Sequence, residues 1–123
     1  GLGVNRPVIA RNVREYLPYM ATESLMMAAV RAGGDRQEVH EVVRTHSHAV
    51  TARIKDGSGS SAELLDRLKA EPAFAKVDFE ALLDPRGFTG RSPEQVAEFV
   101  NDHVAPIRTR YAAALGMTAE LTV

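Results

Sequence analysis

The chain has 123 residues, 45% of them hydrophobic and 25% charged, and its 15 basic and 16 acidic side chains leave a net charge of -1. That length suits one domain with its own core, and the balanced charge removes nucleic acid and anionic membrane as default partners. With no cysteine, disulfides, thiolate catalysis and Cys-based zinc sites are excluded, which fits a cytoplasmic setting.

The pattern is helical almost throughout. Pro7 to Leu17 places Val8, Ile9, Val13, Tyr16 and Leu17 at helical spacing, and Pro18 stops or kinks that segment. Tyr19 to Ala32 is rich in Met, Ala and Leu, strong helix formers, and Leu25 to Val30 is apolar on every side. That run is far short of the roughly 20 residues that span a bilayer. Gly33 and Gly34 read as its C-cap, because glycine takes the left-handed cap conformation without a Cβ clash. Asp35-Arg-Gln-Glu38 then offers an N-cap acceptor and a carboxylate three residues on. The helix it opens runs to about Lys55, with Val39, Val42, Val43, His46, Val50 and Ile54 down one face.

Asp56 to Ser61 is all turn formers and reads as a flexible connector, too short to separate domains. Ser60-Ser-Ala-Glu63 is a second capping box, for a helix Leu64 to Ala70 that Pro72 ends. Phe74 to Leu83 reads as a short helix with Asp78 as cap, closed by Asp84 and Pro85, and Arg86 to Gly90 as a loop. Ser92-Pro-Glu-Gln95 has a cap, an N1 proline and an N3 amide in favoured places. Val96, Phe99, Val100, Val104 and Ile107 continue a stripe that Pro106 kinks or restarts and Gly116 ends. Thr118 to Val123 alternates and is β-branched, a short strand that could pair with Gly1 to Val4. The fold class is therefore all-α: one compact helical domain over residues 1–123, of about five to seven helices, with that two-stranded pairing as its one β element.

Chemistry is sparse. His46 and His48 lie about 200° apart around one helix, so they cannot chelate together, and no His-x3-His spacing occurs. His46 reads as a histidine edging the core. Gly33-Gly34-Asp35 follows a helix rather than a strand and lacks a phosphate-loop pattern. No serine sits in a nucleophile elbow, and Glu23 is the one acid in an apolar segment. The stretch Leu82 to Arg91 is the most specific: Asp84, Pro85 and Gly90 fix a loop that carries Arg86 and Arg91. Either guanidinium suits a phosphate or carboxylate, and the alternative is that intramolecular carboxylates hold them. No catalytic residue and no metal ligand is assigned.

Several of these stretches in order carry a resemblance. Arg11-Asn-Val-Arg-Glu-Tyr-Leu-Pro-Tyr-Met-Ala-Thr-Glu-Ser24, Val30-Arg-Ala-Gly-Gly-Asp-Arg-Gln-Glu-Val-His-Glu41, Leu82 to Arg91 and the terminal Ala119-Glu-Leu121 resemble the C-terminal domain of the adenylosuccinate lyase family. A sister lyase such as argininosuccinate lyase, or a free-standing helical interaction module, is the alternative. The resemblance implies elimination of fumarate from adenylosuccinate and from the succinylated aminoimidazole carboxamide ribotide in purine biosynthesis. It also implies general acid–base catalysis without metal or organic cofactor, in a cytoplasmic homotetramer. The family's serine-bearing signature loop, of the S-S-x-M-P-x-K-x-N type, is absent, so Gly1 falls where the third domain begins and no catalytic residue carries over. The expected partners are the remaining domains of the same chain, and the face that packs on them is expected to be an exposed apolar patch.

Overall fold

In a computed structural model of the chain, residues 2–116 are described, and all regular elements among them are helical. The α-helices are α1 (Arg6–Met20), α2 (Thr22–Arg31), α3 (Arg36–Lys55), α4 (Ala62–Lys69), α5 (Phe79–Leu82), α6 (Ser92–Phe99) and α7 (Ala105–Arg110). Single 3-10 turns occupy Pro72–Phe74, Pro85–Phe88 and Ala112–Ala114. The expected strand Thr118 to Val123 lies outside the described residues, and residues 2–4 have no regular structure. The chain divides into two compact units, Gly1–Gly87 and Phe88–Val123.

In the first unit α3 packs against α2 and α4, and α1 lies along α4 and α2. Its core is Leu25 and Ala29 of α2, Val39 and Val50 of α3, Leu64 and Leu68 of α4, with Phe74 and Phe79 closing one end. Burying each Leu or Phe side chain contributes about 1.5–3 kcal/mol. The two phenyl rings meet tilted, with centroids 6.1 Å apart, and the Lys69 ammonium sits 5.6 Å from the Phe79 ring centre.

Local chemistry sets the junctions. Gly33 takes φ +106°; its N–H donates to the Val30 carbonyl and the Gly34 N–H donates to that of Ala29, which closes α2 in a Schellman motif. Gly34 has a different duty. A Cβ there would stand 3.0 Å from Val39 Cγ2 and 3.1 Å from the Ala29 carbonyl, so any side chain would push α2 and α3 apart by a few tenths of an ångström. Asp35 then caps α3 by accepting from the N–H groups of Gln37 (2.8 Å) and Glu38 (3.0 Å). Asp35→Ala is expected to cost about 1 kcal/mol of urea-measured stability, and Asp35→Asn almost none.

Several boundaries differ from the sequence expectation, for physical reasons. α1 runs through the buried Pro18 to Met20: the missing Pro18 N–H costs the Arg14 carbonyl its ladder donor, and the helix carries on for only two more residues. The break comes instead at Ala21, where the Thr22 hydroxyl turns back to the Tyr19 carbonyl at 2.7 Å. Phe74 to Leu83 is a 3-10 turn and a separate α5, which Asp78 caps through the Ala81 N–H.

The connector Asp56 to Ser61 is a closed corner. Gly57 (φ +73°) and Ser58 end α3 in a second Schellman motif, donating to the carbonyls of Ile54 and Arg53. The Arg53 guanidinium donates to the Ser58 carbonyl at 2.8 Å and to Glu63 at 2.9 Å, while Glu63 accepts the Ser60 N–H at 3.1 Å. Half of the expected capping box is thus made, by the carboxylate.

The Arg53 guanidinium, and after it the Ser60 N–H, hold the Glu63 carboxyl below the usual carboxylate range. A depressed folded-state value means that this support is present above the ordinary carboxylate range and is lost as pH falls through the folded value. Glu63→Gln is expected to lower the urea midpoint at about pH 7, and the difference from wild type should shrink as pH falls through the depressed folded value, where the wild-type carboxyl takes up its proton.

The second unit is a helical rod. Among residues 88–116 only Phe88 and Val104 are partly shielded, and none is buried. Ser92 is the first residue of α6 rather than its cap, and its side chain makes no capping bond. Pro106 acts upstream of itself. Without an N–H it cannot serve the Asp102 carbonyl, and the ladder widens into a π segment, Val100–Val104, in which the Ala105 N–H donates to the Val100 carbonyl. The α-helix ends at Arg110, before Gly116 (φ +94°).

Candidate functional site

The loop singled out in the sequence is held by its own charges. Asp84 Oδ1 accepts the Arg86 N–H at 3.0 Å, and the Arg86 guanidinium grips both Asp84 oxygens at 2.6–3.0 Å. Arg86, by side chain and then N–H, pulls the Asp84 carboxyl below its usual range, and Asp84 raises the guanidinium. Pro85 opens the 3-10 turn beside them. Gly90 takes φ +55°, a left-handed turn position before α6. In the second unit Arg91 donates to Glu98 at 3.0 Å. Each candidate arginine therefore already holds a carboxylate, and the two belong to different units.

The histidines are equally occupied or scattered. His46 Nε2 stands 2.7 Å from Glu71 Oε1, half-buried, and ties α3 to the segment after α4. His40, His48 and His103 are exposed. Among the described residues no three His, Asp or Glu side chains converge to hold a metal ion, and no helix is long and apolar enough to cross a membrane. Glu23 lies exposed in the first turn of α2, at the positive end of that helix.

One feature escaped the sequence reading. A cavity of about 410 Å³ opens between α1, α3 and the start of α4, lined by Tyr16, Tyr19, Thr51, Ile54, Ser60 and Ser61. Glu15 is the charged residue of the lining. The Tyr19 and Thr51 hydroxyls share a 3.0 Å hydrogen bond on its wall. Ser61 is 8% exposed, and its hydroxyl makes no hydrogen bond among the described residues. Because no fully enclosed side-chain polar atom there lacks a partner, that hydroxyl opens on the cavity. The pieces come from positions 15 to 61 and meet only in the tertiary fold; Tyr16 and Tyr19, three apart on α1, are the sole trace in the sequence.

The arrangement defines a class: a helical chain in which the polar groups named above serve caps and ion pairs and line the cavity at Tyr16 and Ser61, and among the described residues no nucleophile held by a base has been found. Comparison with known proteins identifies which. A family model described as "Adenylosuccinate lyase C-terminus" matches residues 18–99. The adenylosuccinate lyase of Saccharomyces cerevisiae is 41% identical over 106 residues, covering 85% of this chain and 22% of that protein. The adenylosuccinate lyase of Schizosaccharomyces pombe is 38% identical over 107 residues, with the same coverage, 85% and 22%. That of Schistosoma mansoni is 34% identical over 126 residues, covering 100% of this chain and 26% of that protein. The chain belongs to the adenylosuccinate lyase C-terminus family. It spans about a quarter of the length of the curated relatives it matches.

Proposed function

We propose that residues 1–123 act as one C-terminal domain within a complete adenylosuccinate lyase chain, and that this domain alone turns over no substrate. The observation that carries the reading is the family match across residues 18–99, in a chain whose relatives bear that name. The complete chain would eliminate fumarate from adenylosuccinate, leaving AMP, and from the succinylated aminoimidazole carboxamide ribotide. The groups that move protons belong to the remaining domains, which are this domain's partners, and the enzyme works as a cytoplasmic homotetramer without metal or organic cofactor. The near-neutral charge supports a domain with neither nucleic acid nor anionic membrane as partner. Arg86 holds its neighbour Asp84 and Arg91 holds Glu98 of α6, which supports a shaping role for them rather than direct substrate contact.

Fumarate release, followed by absorbance, tests this on the complete chain and on the 123-residue chain at equal concentration. Adenylosuccinate turnover by the complete chain alone is the expected result. Turnover by the isolated 123 residues, or a complete chain inert towards adenylosuccinate, overturns the reading.

A further inference from the structure

We infer that the outward face of α1, with the cavity it borders, is the surface on which the preceding part of the lyase chain packs. This deepens the reading above and rests on it. Ile9, Val13, Tyr16 and Met20 follow one another at i, i+4, i+7 and i+11, the spacing of a packed helix face. Yet Ile9 is 51%, Tyr16 59% and Met20 56% exposed, and the first two turns of α1 have no buried residue. A continuous apolar stripe of this kind marks a contact surface.

Tyr16 belongs both to the stripe and to the cavity. Inside that cavity Ser61, 8% exposed as a residue, turns its hydroxyl to the open space, and no hydrogen bond to it is made among the described residues. The lining sets the Tyr16 and Tyr19 rings and Ile54 beside the hydroxyl-bearing Thr51 and Ser60, so whatever covers the Ser61 hydroxyl must bring it a hydrogen-bonding atom or leave it at a cost. What fits is an apolar side chain with one hydrogen-bonding atom at its tip, delivered by a segment that also covers the stripe.

Family membership says which segment. The chain matches only 22–26% of each relative, and the match is to their C-terminus, so the larger part of such a chain comes before these residues. A preceding segment reaches α1 without crossing the rest of the domain, since α1 is the first helix.

These 123 residues contain no cysteine, so an introduced thiol is the single one among them. Ile9→Cys and Tyr16→Cys would be labelled in the complete chain and in the 123-residue chain, with His48→Cys as exposed reference and each site read by peptide mass spectrometry. The expected result is labelling near the reference rate in the 123 residues and at least about tenfold slower in the complete chain. That protection factor corresponds to about 1.4 kcal/mol. Hydrogen exchange of residues 6–20 in the two unmodified chains gives the same comparison should a cysteine variant fail to fold. Equal rates in both chains overturn the inference. So does protection in the 123 residues that grows with concentration, which would assign the face to a second copy, or complete protection there at every concentration. Fumarate release measured alongside separates the two readings: turnover without protection removes the docking surface alone, and protection without turnover removes the lyase assignment alone.

Discussion

Phe74→Ala is expected to remove about 3–5 kcal/mol from the first unit, the range for deleting a fully buried phenyl group and leaving its cavity. Phe74 is 2% exposed, sits in the turn that packs on α2 and α4, and meets Phe79 ring to ring. Whole domains of this size are held by about 5–15 kcal/mol, so the loss is a large fraction of the total. With a urea dependence of about 1–3 kcal/mol/M, the midpoint followed by far-ultraviolet circular dichroism should fall by about 2 M. Phe74→Leu keeps most of the volume and should cost less than about 1.5 kcal/mol. Phe99 provides the contrast: at 59% exposed on α6, its replacement by Ala should stay within about 0.5 kcal/mol. A loss below about 1 kcal/mol at Phe74 would show that the buried aromatic pair does not hold α2, α4 and α5 together.

That contrast reflects how the fold is built. The first unit closes around α2, whose residues 24–30 are all at least partly shielded, in keeping with the apolar run Leu25 to Val30. The stripe of α6 and α7 has the right spacing but lies open at Val96, Phe99, Val100 and Ile107. Periodicity reports which face a helix offers, not whether the chain itself supplies what covers it.

Legibility follows the range of the interaction. Gly33, Gly34 and Asp35 could be read as a cap pair and an N-cap because every partner lies within a few residues. Asp84, Pro85 and Gly90 likewise announced a fixed loop. The π segment was not legible, since the missing Pro106 N–H redirects bonds one turn earlier, and sequence shows the proline rather than the register. Nor was the ordering of Asp56 to Ser61, because Arg53 and Glu63 meet from ten residues apart. Of the candidate site, the arginines were visible and their partners were not. The cavity between Tyr16, Tyr19, Thr51 and Ser61 left no sequence signal because three helices assemble it.

Gly59→Ala tests that corner. A Cβ at Gly59 would stand 2.7 Å from Arg53 Cβ, closer than packed atoms allow, and 3.3 Å from the Arg53 carbonyl carbon, a tight contact. Neither is the free end of a flexible side chain, so the loop or the end of α3 must move. Arg53 is also the residue that clamps Ser58 and Glu63, and displacing it loosens the start of α4 together with the end of α3. Overpacking of this kind costs about 1–3 kcal/mol, read as a lowered urea midpoint. Gly57→Ala separates this cause from backbone strain. Gly57 has φ +73° with open space where its Cβ would go, so only the left-handed conformation is penalised, by about 1–2 kcal/mol. Combining Gly59→Ala with Arg53→Gly removes the clashing Cβ and should recover part of the Gly59→Ala loss relative to Arg53→Gly alone. A double mutant in which the two losses simply add would show that contact with Arg53 is not what demands glycine at 59.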